Sequence, residues 1–341
     1  MKTILITGGA GFIGSNFARY LYEKYPSYKI IILDALTYAG SVVNTPNRGF
    51  NNDRYEFWYG NVVNAELVNK LVSQSEYVFH FAAESHVTRS IYDNKTFFET
   101  DVMGTQVVAN AVLHHLSKVK LFVHISTSEV YGTAETDLMN EGHPLNPMSP
   151  YAAAKAGADR LVYSYNKTYG IPSVIIRPFN NYGPYQHLEK VIPRFITSAI
   201  LGEPLTMHGD GSACRDFIHV LDHCRALEML LHIDSSLVIG QEINIASGMD
   251  ISVLDIAHSV LSLLKTKSEI QMIGNRPGQV FRHTGDSTKA KNLLNWKASI
   301  SFDEGLKSTI DWYKNNEHLW NNQKWMRSIP IKTIDGKEER H

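Results

Sequence analysis

The sequence predicts a doubly wound α/β fold, a parallel sheet covered by helices on both faces, followed by a smaller C-terminal lobe. Three observations carry this expectation. Short β-branched or aromatic runs alternate with helical stretches through the first half of the chain. The first of those runs ends in a glycine-rich turn. After Pro178 the rhythm gives way to glycines, prolines and short periodic segments. At ~150 residues per folding unit, 341 residues suit two such units. Hydrophobic residues at 43% supply a sizeable core. The balance of 33 basic against 34 acidic side chains argues against general attraction to nucleic acid or acidic membranes.

The elements follow in order. TILIT (3–7), KIIILD (29–34), YEFWY (55–59), YVFHFA (77–82) and LFVHIS (121–126) read as buried strands. Helical patterns fill 65–73 and 96–116, another helix starts near Pro150, and SVIIR (173–177) is the next strand. These elements define a first unit over 1–178. Residues 179–330 form the smaller lobe, with one or two elements returning to the sheet, and 331–341 a polar, frayed tail. Within the lobe, 179–219 reads as loops and small strands, with helices at 220–232, 252–265 and 302–315. Trp296, Trp312, Trp320 and Trp325 are expected to pack that lobe. Cys214 and Cys224 are too few for a disulfide framework and read as free thiols in a reducing cytoplasm. The opening MKTILITGGAGFIG breaks its apolar run too early for a signal peptide, and no stretch has the length of a membrane span.

The turn TGGAGFIG sits between the first strand and the first helix. Gly8 permits the tight turn, Gly11 lets backbone approach a pyrophosphate, and Gly14 lets helix and strand pack closely. A helix opening at Phe12 and Ile13 presents free N–H groups to phosphates. Asp34 ends the second strand, where an acid accepts hydrogen bonds from an adenosine ribose and repels a 2′-phosphate. The expectation is a Rossmann-type unit that binds NAD rather than NADP.

A second constellation lies at the fifth strand's carboxyl end, where open α/β sheets bind ligands. Thr127, Ser128 and Glu129 stand there, and Tyr151 and Lys155 follow four apart on one helix face. A tyrosine is a poor base near neutrality, but a neighbouring ammonium stabilises the phenolate, so Lys155 is expected to lower the pKa of Tyr151. Fifteen histidines invite a metal site, yet their pairs lack carboxylate or cysteine partners at ligand spacing, and none is expected.

Together these residues resemble the extended short-chain dehydrogenase/reductase family in its nucleotide-sugar branch, and within it the dTDP-glucose 4,6-dehydratases. Further stretches carry the likeness: DALTYAG (34–40), HFAAESHV (80–87) with Arg89-Ser90, NNYGPY (180–185), Glu189-Lys190, and Gly209-Asp210-Gly211 with Arg215-Asp216. The resemblance implies an internal redox cycle on a nucleotide-hexose with bound NAD. Tyr151 takes the C4 hydroxyl proton, Thr127 holds the C4 oxygen, Glu129 removes the C5 proton, water leaves C6, and hydride returns to C6. Lys155 would hold the nicotinamide ribose. Asn61 and Ala82 would line the cofactor, and His86, Glu189, Asn180, Lys190, Arg215 and Asn244 the nucleotide-sugar. The helices from near Thr96 and Pro150 would form a homodimer's bundle.

The pattern also departs from those dehydratases. Ser128 stands where they carry the aspartate that protonates the departing hydroxyl; the Thr-Ser-Glu order resembles GDP-mannose 4,6-dehydratases and UDP-glucuronate decarboxylases. Asn61 and Thr88 replace aspartates, and Gln279 stands where histidine is frequent. A decarboxylase needs a cation near Tyr185, and a 4-epimerase has no use for the Glu129 carboxylate. Both remain alternatives, as does a noncatalytic dinucleotide-binding protein.

Overall fold

Alternating apolar strands set the architecture. In β1 (Lys2–Thr7), Ile4 and Ile6 face one side and Leu5 the other, and all three are fully buried. The computed structural model describes residues 1–274, 280, 282–332 and 338–340. In chain order β1 is followed by α1 (Phe12–Lys24), β2 (Tyr28–Asp34), β3 (Tyr55–Tyr59), α2 (Ala65–Ser73) and β4 (Tyr77–His80). Then come α3 (Val87–Tyr92), α4 (Lys95–Phe97), α5 (Gly104–His114), β5 (Leu121–Ile125), α6 (Pro150–Tyr169) and β6 (Ser173–Pro178). A π-type stretch, Phe98–Met103, joins α4 to α5, so the single helix expected at 96–116 is two α-helical pieces with a π-type turn between them.

The second half contributes β7 (Asn180–Tyr182), α7 (Val191–Ile200), β8 (Leu205–His208), β9 (Cys214–His219), α8 (Val220–Met229) and β10 (Glu242–Ile245). After these run β11 (Asp250–Ser252), α9 (Val253–Leu264), β12 (Ile270–Ile273), β13 (Arg282–His283), α10 (Thr288–Leu294), α11 (Phe302–Asn315) and α12 (Glu317–Trp320). Last are β14 (Pro330–Lys332) and β15 (Glu338–Arg340), which pair antiparallel. Of the polar tail expected over 331–341, Ile331, Lys332 and Glu338–Arg340 lie in that pairing, and the other residues lie outside the described ones. The segment 276–279 lies outside the described residues.

The main sheet runs β10-β6-β5-β4-β1-β2-β3, every pairing parallel. Strand order reverses between β1 and β4, and a ligand crevice opens at the carboxyl ends there. One face packs Phe17 and Leu21 of α1 and Leu227 of α8 on Ile4, Ile32 and Val123. The other packs Val68 and Leu71 of α2, Val108 of α5 and Val162 of α6 on Leu5, Ile31 and Phe122. β10, far along the chain, is the sheet's edge strand beside β6.

A separate core holds the lobe: Phe195 and Ile196 of α7, Phe217 of β9, Ile256 and Val260 of α9, and Leu306 and Tyr313 of α11. α7 falls where loops and small strands were expected. Its Pro193 reads as a breaker, but it sits in the first turn, where no intrahelical N–H is lost. Trp320 is buried in this core. Trp296 instead packs with the main sheet, its indole N–H donating to the Asp222 carbonyl at 3.0 Å, and Trp325 is exposed.

α6 carries Tyr151 and Lys155, and its placement is over-determined. Ser149 caps it, accepting from Ala152 N–H at 3.2 Å, Pro150 opens it, and Gly170 ends it in a left-handed conformation. Buried Asp159 fixes it to the sheet. Its carboxylate accepts from Arg177 of β6 at 2.9 and 3.0 Å and from the Ser126 hydroxyl at 2.7 Å. Burial opposes ionisation of Asp159, but the hydrogen bonds and charge of Arg177 outweigh it and hold the carboxyl below its usual range. Removing one member of a buried pair strands the other charge. Arg177→Met is therefore expected to lower stability in urea unfolding by about 3–5 kcal/mol at neutral pH. Loss within experimental error would remove the clasp from this role.

Candidate active site

A cavity of about 470 Å³ opens over the switch point and reaches from the glycine turn to the lobe. Gly8, Gly11, Phe12, Ile13, Gly14, Asp34, Asn61 and Ala82 line one end; Thr127, Glu129, Tyr151 and Lys155 stand midway; His86, Asn180, Glu189, Lys190 and Arg215 line the rest. The structure thus brings together residues up to about two hundred positions apart.

At the turn, Gly8 has φ +69°, and a Cβ there would stand 2.6 Å from the Ala82 backbone nitrogen. A Cβ on Gly14 would stand 2.4 Å from the Gly8 carbonyl oxygen. α1 opens at Gly11 with no side-chain cap, leaving its first N–H groups for an anion. Asp34 is nearly buried and accepts from Ala10 N–H and Leu36 N–H, each at 2.8 Å. Burial raises its pKa against those bonds. A carboxylate accepts about four hydrogen bonds, so acceptor capacity remains for a ribose. These residues fit a dinucleotide.

Thr127 caps a short 3-10 turn, Ser128–Tyr131, with its hydroxyl accepting from Glu129 N–H at 3.2 Å. The turn leaves Thr127 and Glu129 half-buried toward the cavity and turns Ser128 away. Ser128 is 1% exposed, its hydroxyl 3.5 Å from His283 Nδ1. A direct catalytic part for Ser128 is therefore corrected: its oxygen does not line the cavity.

Lys155 is buried, and its ammonium donates to the Ile125 carbonyl at 2.6 Å. Burial lowers its pKa, while Asp101 and Asp159 pull upward. Tyr151 departs from expectation. Burial drives its pKa up, the charges of Asp101 and Glu129 add to the rise, and a hydrogen bond with Thr127 opposes it. The Lys155 ammonium, committed to a strand-end carbonyl, does not reverse this.

Asn244 is a second correction. It is fully buried, accepts from the Tyr131 hydroxyl at 2.7 Å and donates to the Met139 carbonyl at 2.9 Å, so it braces β10 instead of lining the cavity. Asn180, by contrast, lines the cavity with its buried side-chain nitrogen unpartnered. Glu189 is caged by the Tyr38 hydroxyl at 3.0 Å and Arg89 at 3.1 Å, with His187 and Lys190 close by. Lys190 donates to the Ser85 carbonyl at 2.8 Å. Sequence reasoning noted Arg89 only as part of the family likeness and missed Asp101, Arg194 and His208; the last two line the lobe side, and lone residues in separate elements carry no spacing signal.

Among the described residues, no cluster of His, Cys, Asp or Glu is placed to hold a metal, and no helix is long and apolar enough to cross a membrane.

The chain matches the GDP-mannose 4,6-dehydratase family over residues 5–309. It is 42% identical to the low-salt glycan biosynthesis protein Agl12 of Haloferax volcanii, over 91% of this chain and 98% of that protein. It is 40% identical to a dTDP-glucose 4,6-dehydratase of Mycobacterium tuberculosis, over 93% of this chain and 95% of that one. Its fold superposes on DesIV, the dTDP-glucose 4,6-dehydratase of Streptomyces venezuelae solved with NAD bound. The TM-score is 0.88 at 38% identity, covering 94% of this chain and 99% of that chain.

Gly8→Ala tests the turn. Strain at positive φ and the clash with Ala82 are expected to cut copurifying NAD more than tenfold, a factor that needs only about 1.4 kcal/mol. Far-UV circular dichroism should stay unchanged, and full NAD content in this variant would contradict the assignment.

Proposed function

This chain belongs to the GDP-mannose 4,6-dehydratase family, and from that premise we propose how its residues carry out NAD-dependent 4,6-dehydration of a dTDP- or UDP-hexose. The product is a nucleotide-linked 4-keto-6-deoxyhexose, the entry compound to deoxysugars. NAD supplies the hydride acceptor at C4 and the hydride returned to C6. Gly8, Gly11, Phe12, Ile13, Gly14, Asp34, Asn61 and Ala82 hold the dinucleotide, and Lys155 its nicotinamide ribose. Thr127 orients the C4 oxygen and Tyr151 takes the C4 hydroxyl proton.

The C4 ketone acidifies the C5 hydrogen, and Glu129 removes it. Once protonated, Glu129 passes that proton to the C6 hydroxyl, which departs as water; this duty falls to it because Ser128 is turned toward His283. Loss of water with hydride return leaves the cofactor oxidised, so each turnover is redox-neutral. In the smaller lobe, residues 179–330, the Lys190 and Arg215 charges and the Asn180 side chain meet the nucleoside diphosphate. His86 and Glu189 complete the sugar end.

One observation carries this reading: the Glu129 carboxyl shares the cavity with Tyr151 and Thr127. A 4-epimerase needs no such base. Tyr185 packs at a tilt on Trp312, with ring centroids 4.5 Å apart, and under the Arg19 guanidinium, which donates to the Asn44 and Val43 carbonyls; neither Tyr185 nor Arg19 lines the cavity, where a glucuronate carboxylate would have to be met. We place the enzyme in the cytoplasm, in keeping with free Cys214 and Cys224. It pairs as a homodimer through the exposed apolar side chains of Phe98, Met103, Tyr163 and Tyr169 on the π-type stretch and α6.

The test is a substrate panel of dTDP-glucose, UDP-glucose, GDP-mannose and UDP-glucuronate, with products weighed by mass spectrometry. Loss of one water from dTDP- or UDP-glucose is expected. Loss of carbon dioxide, unchanged mass with a new epimer, or no conversion with NAD still bound would each sink the proposal. Glu129→Gln should slow elimination by about 10²–10⁴ while C4 oxidation persists.

A further inference from the structure

The reaction described above uses neither of two carboxyl groups buried beside Lys155. Asp159 is explained by Arg177. Asp101 is not. It is 1% exposed, lies outside the cavity lining, and sits within the π-type stretch, a backbone irregularity common at functional sites. One carboxyl oxygen accepts from Glu84 N–H at 2.8 Å; the other is buried with no hydrogen-bond partner. Its backbone carbonyl accepts from the Thr105 hydroxyl at 2.5 Å, and that hydroxyl lies 3.0 Å from His80 Nε2.

We propose that Asp101 is a positioning residue for the reaction, tying the cavity loop at Glu84 to the π-type stretch that packs on α6 and governing proton transfer at Tyr151 and Lys155 through its charge.

The groups that face this carboxyl come from two parts of the chain. α6 presents Lys155 and Tyr151, and the loop after β4 presents Glu84. Behind Lys155 stand His80 of β4 and His124 of β5, both held neutral by burial, His80 down to about 3. Asp159, also near Lys155, is neutralised by Arg177, and Glu129 lies beyond Tyr151. The net charge of this pocket therefore turns on the protonation of its two carboxyls pushed upward by burial, Asp101 and Glu84, of which Asp101 is the one that acts on both Lys155 and Tyr151. Burial raises its pKa above the ordinary carboxylate range, against the pull of Lys155.

The direction of its effect follows from Coulomb's law. An ionised Asp101 favours the charged ammonium of Lys155 and disfavours the phenolate of Tyr151. Tyr151 must reach the phenolate to accept the C4 hydroxyl proton. A charged Asp101 therefore restrains the base, and a neutral one releases it. Asparagine has the same shape, keeps an oxygen for Glu84 N–H, and is neutral at every pH.

Asp101→Asn is the test, with two readouts. The first, independent of substrate, titrates the Tyr151 phenol by ultraviolet difference absorption between each protein and its Tyr151→Phe counterpart, with NAD bound. The midpoint should fall by about one pH unit or more, the size expected for removing a nearby like charge. The second is the pH profile of kcat for dehydration, which should slide to lower pH by a similar amount with KM changed less than twofold. Asp101→Ser also removes the charge and must move the phenol midpoint the same way, which guards against a folding defect in either variant. An unmoved midpoint in both, with kcat lowered equally at every pH, would make Asp101 a structural residue and overturn the proposal. A shifted midpoint in protein that dehydrates none of the four nucleotide-sugars would uphold the electrostatic role and reject the reaction, so the two failures separate.

Discussion

A single buried ammonium, that of Lys155, is the constraint around which the site is arranged. Taking such a charge out of water costs several kcal/mol unless its protons are bonded and its charge is met. Here the Ile125 carbonyl takes a hydrogen bond at 2.6 Å, and Asp101 and Asp159 supply opposite charge. Asp159 in turn requires Arg177, and Arg177 bonds the Tyr131 hydroxyl at 3.0 Å, which reaches Asn244. The ammonium is thus hydrogen-bonded to β5 and joined through the charge of Asp159 to a hydrogen-bonded chain that reaches β6 and β10. Its position on α6 is set by the sheet beneath it.

The same economy governs recognition of the substrate's charge. The chain is nearly neutral, with a formal net charge of -1, yet a nucleotide-sugar and a dinucleotide each carry a pyrophosphate. Net charge is silent on this because the cationic character is local. The uncapped start of α1 faces one end of the cavity, and Lys190 and Arg215 face the other. The lobe that brings them is anchored through β10 at the sheet edge and through α8 packed on α1, so both walls of the cavity rest on one framework.

Much of the fold was legible because buried parallel strands are short, β-branched and bounded by turns; β3 at Tyr55–Tyr59 and α11 at Phe302–Asn315 fall where periodicity placed them. α7 was not, because Pro193 within its first turn looks the same in sequence as one that breaks a helix. The glycine turn, Asp34, Tyr151 and Lys155 were readable from spacing, since one strand, turn or helix supplies each set. What spacing does not carry is direction across elements. Ser128 and Glu129 are neighbours in sequence, yet the 3-10 turn sends one to His283 and the other to the cavity. Asn244 matched a binding position but spends its hydrogen bonds on Tyr131 and Met139. Nor did Tyr151 and Lys155 at helical spacing reveal that burial, Asp101 and Glu129 push the phenol upward, because Asp101 arrives from a helix fifty residues earlier.

The central claim is that one cavity oxidises C4, eliminates water and returns the same hydride to C6. Nucleotide-glucose carrying deuterium at C4 tests it most directly. The expected 4-keto product keeps the label, now in the C6 methyl group, with no label passed to solvent or to free NADH. Deuterium recovered at C4 of an epimer, or lost from the sugar while the 4-keto product forms, would contradict it.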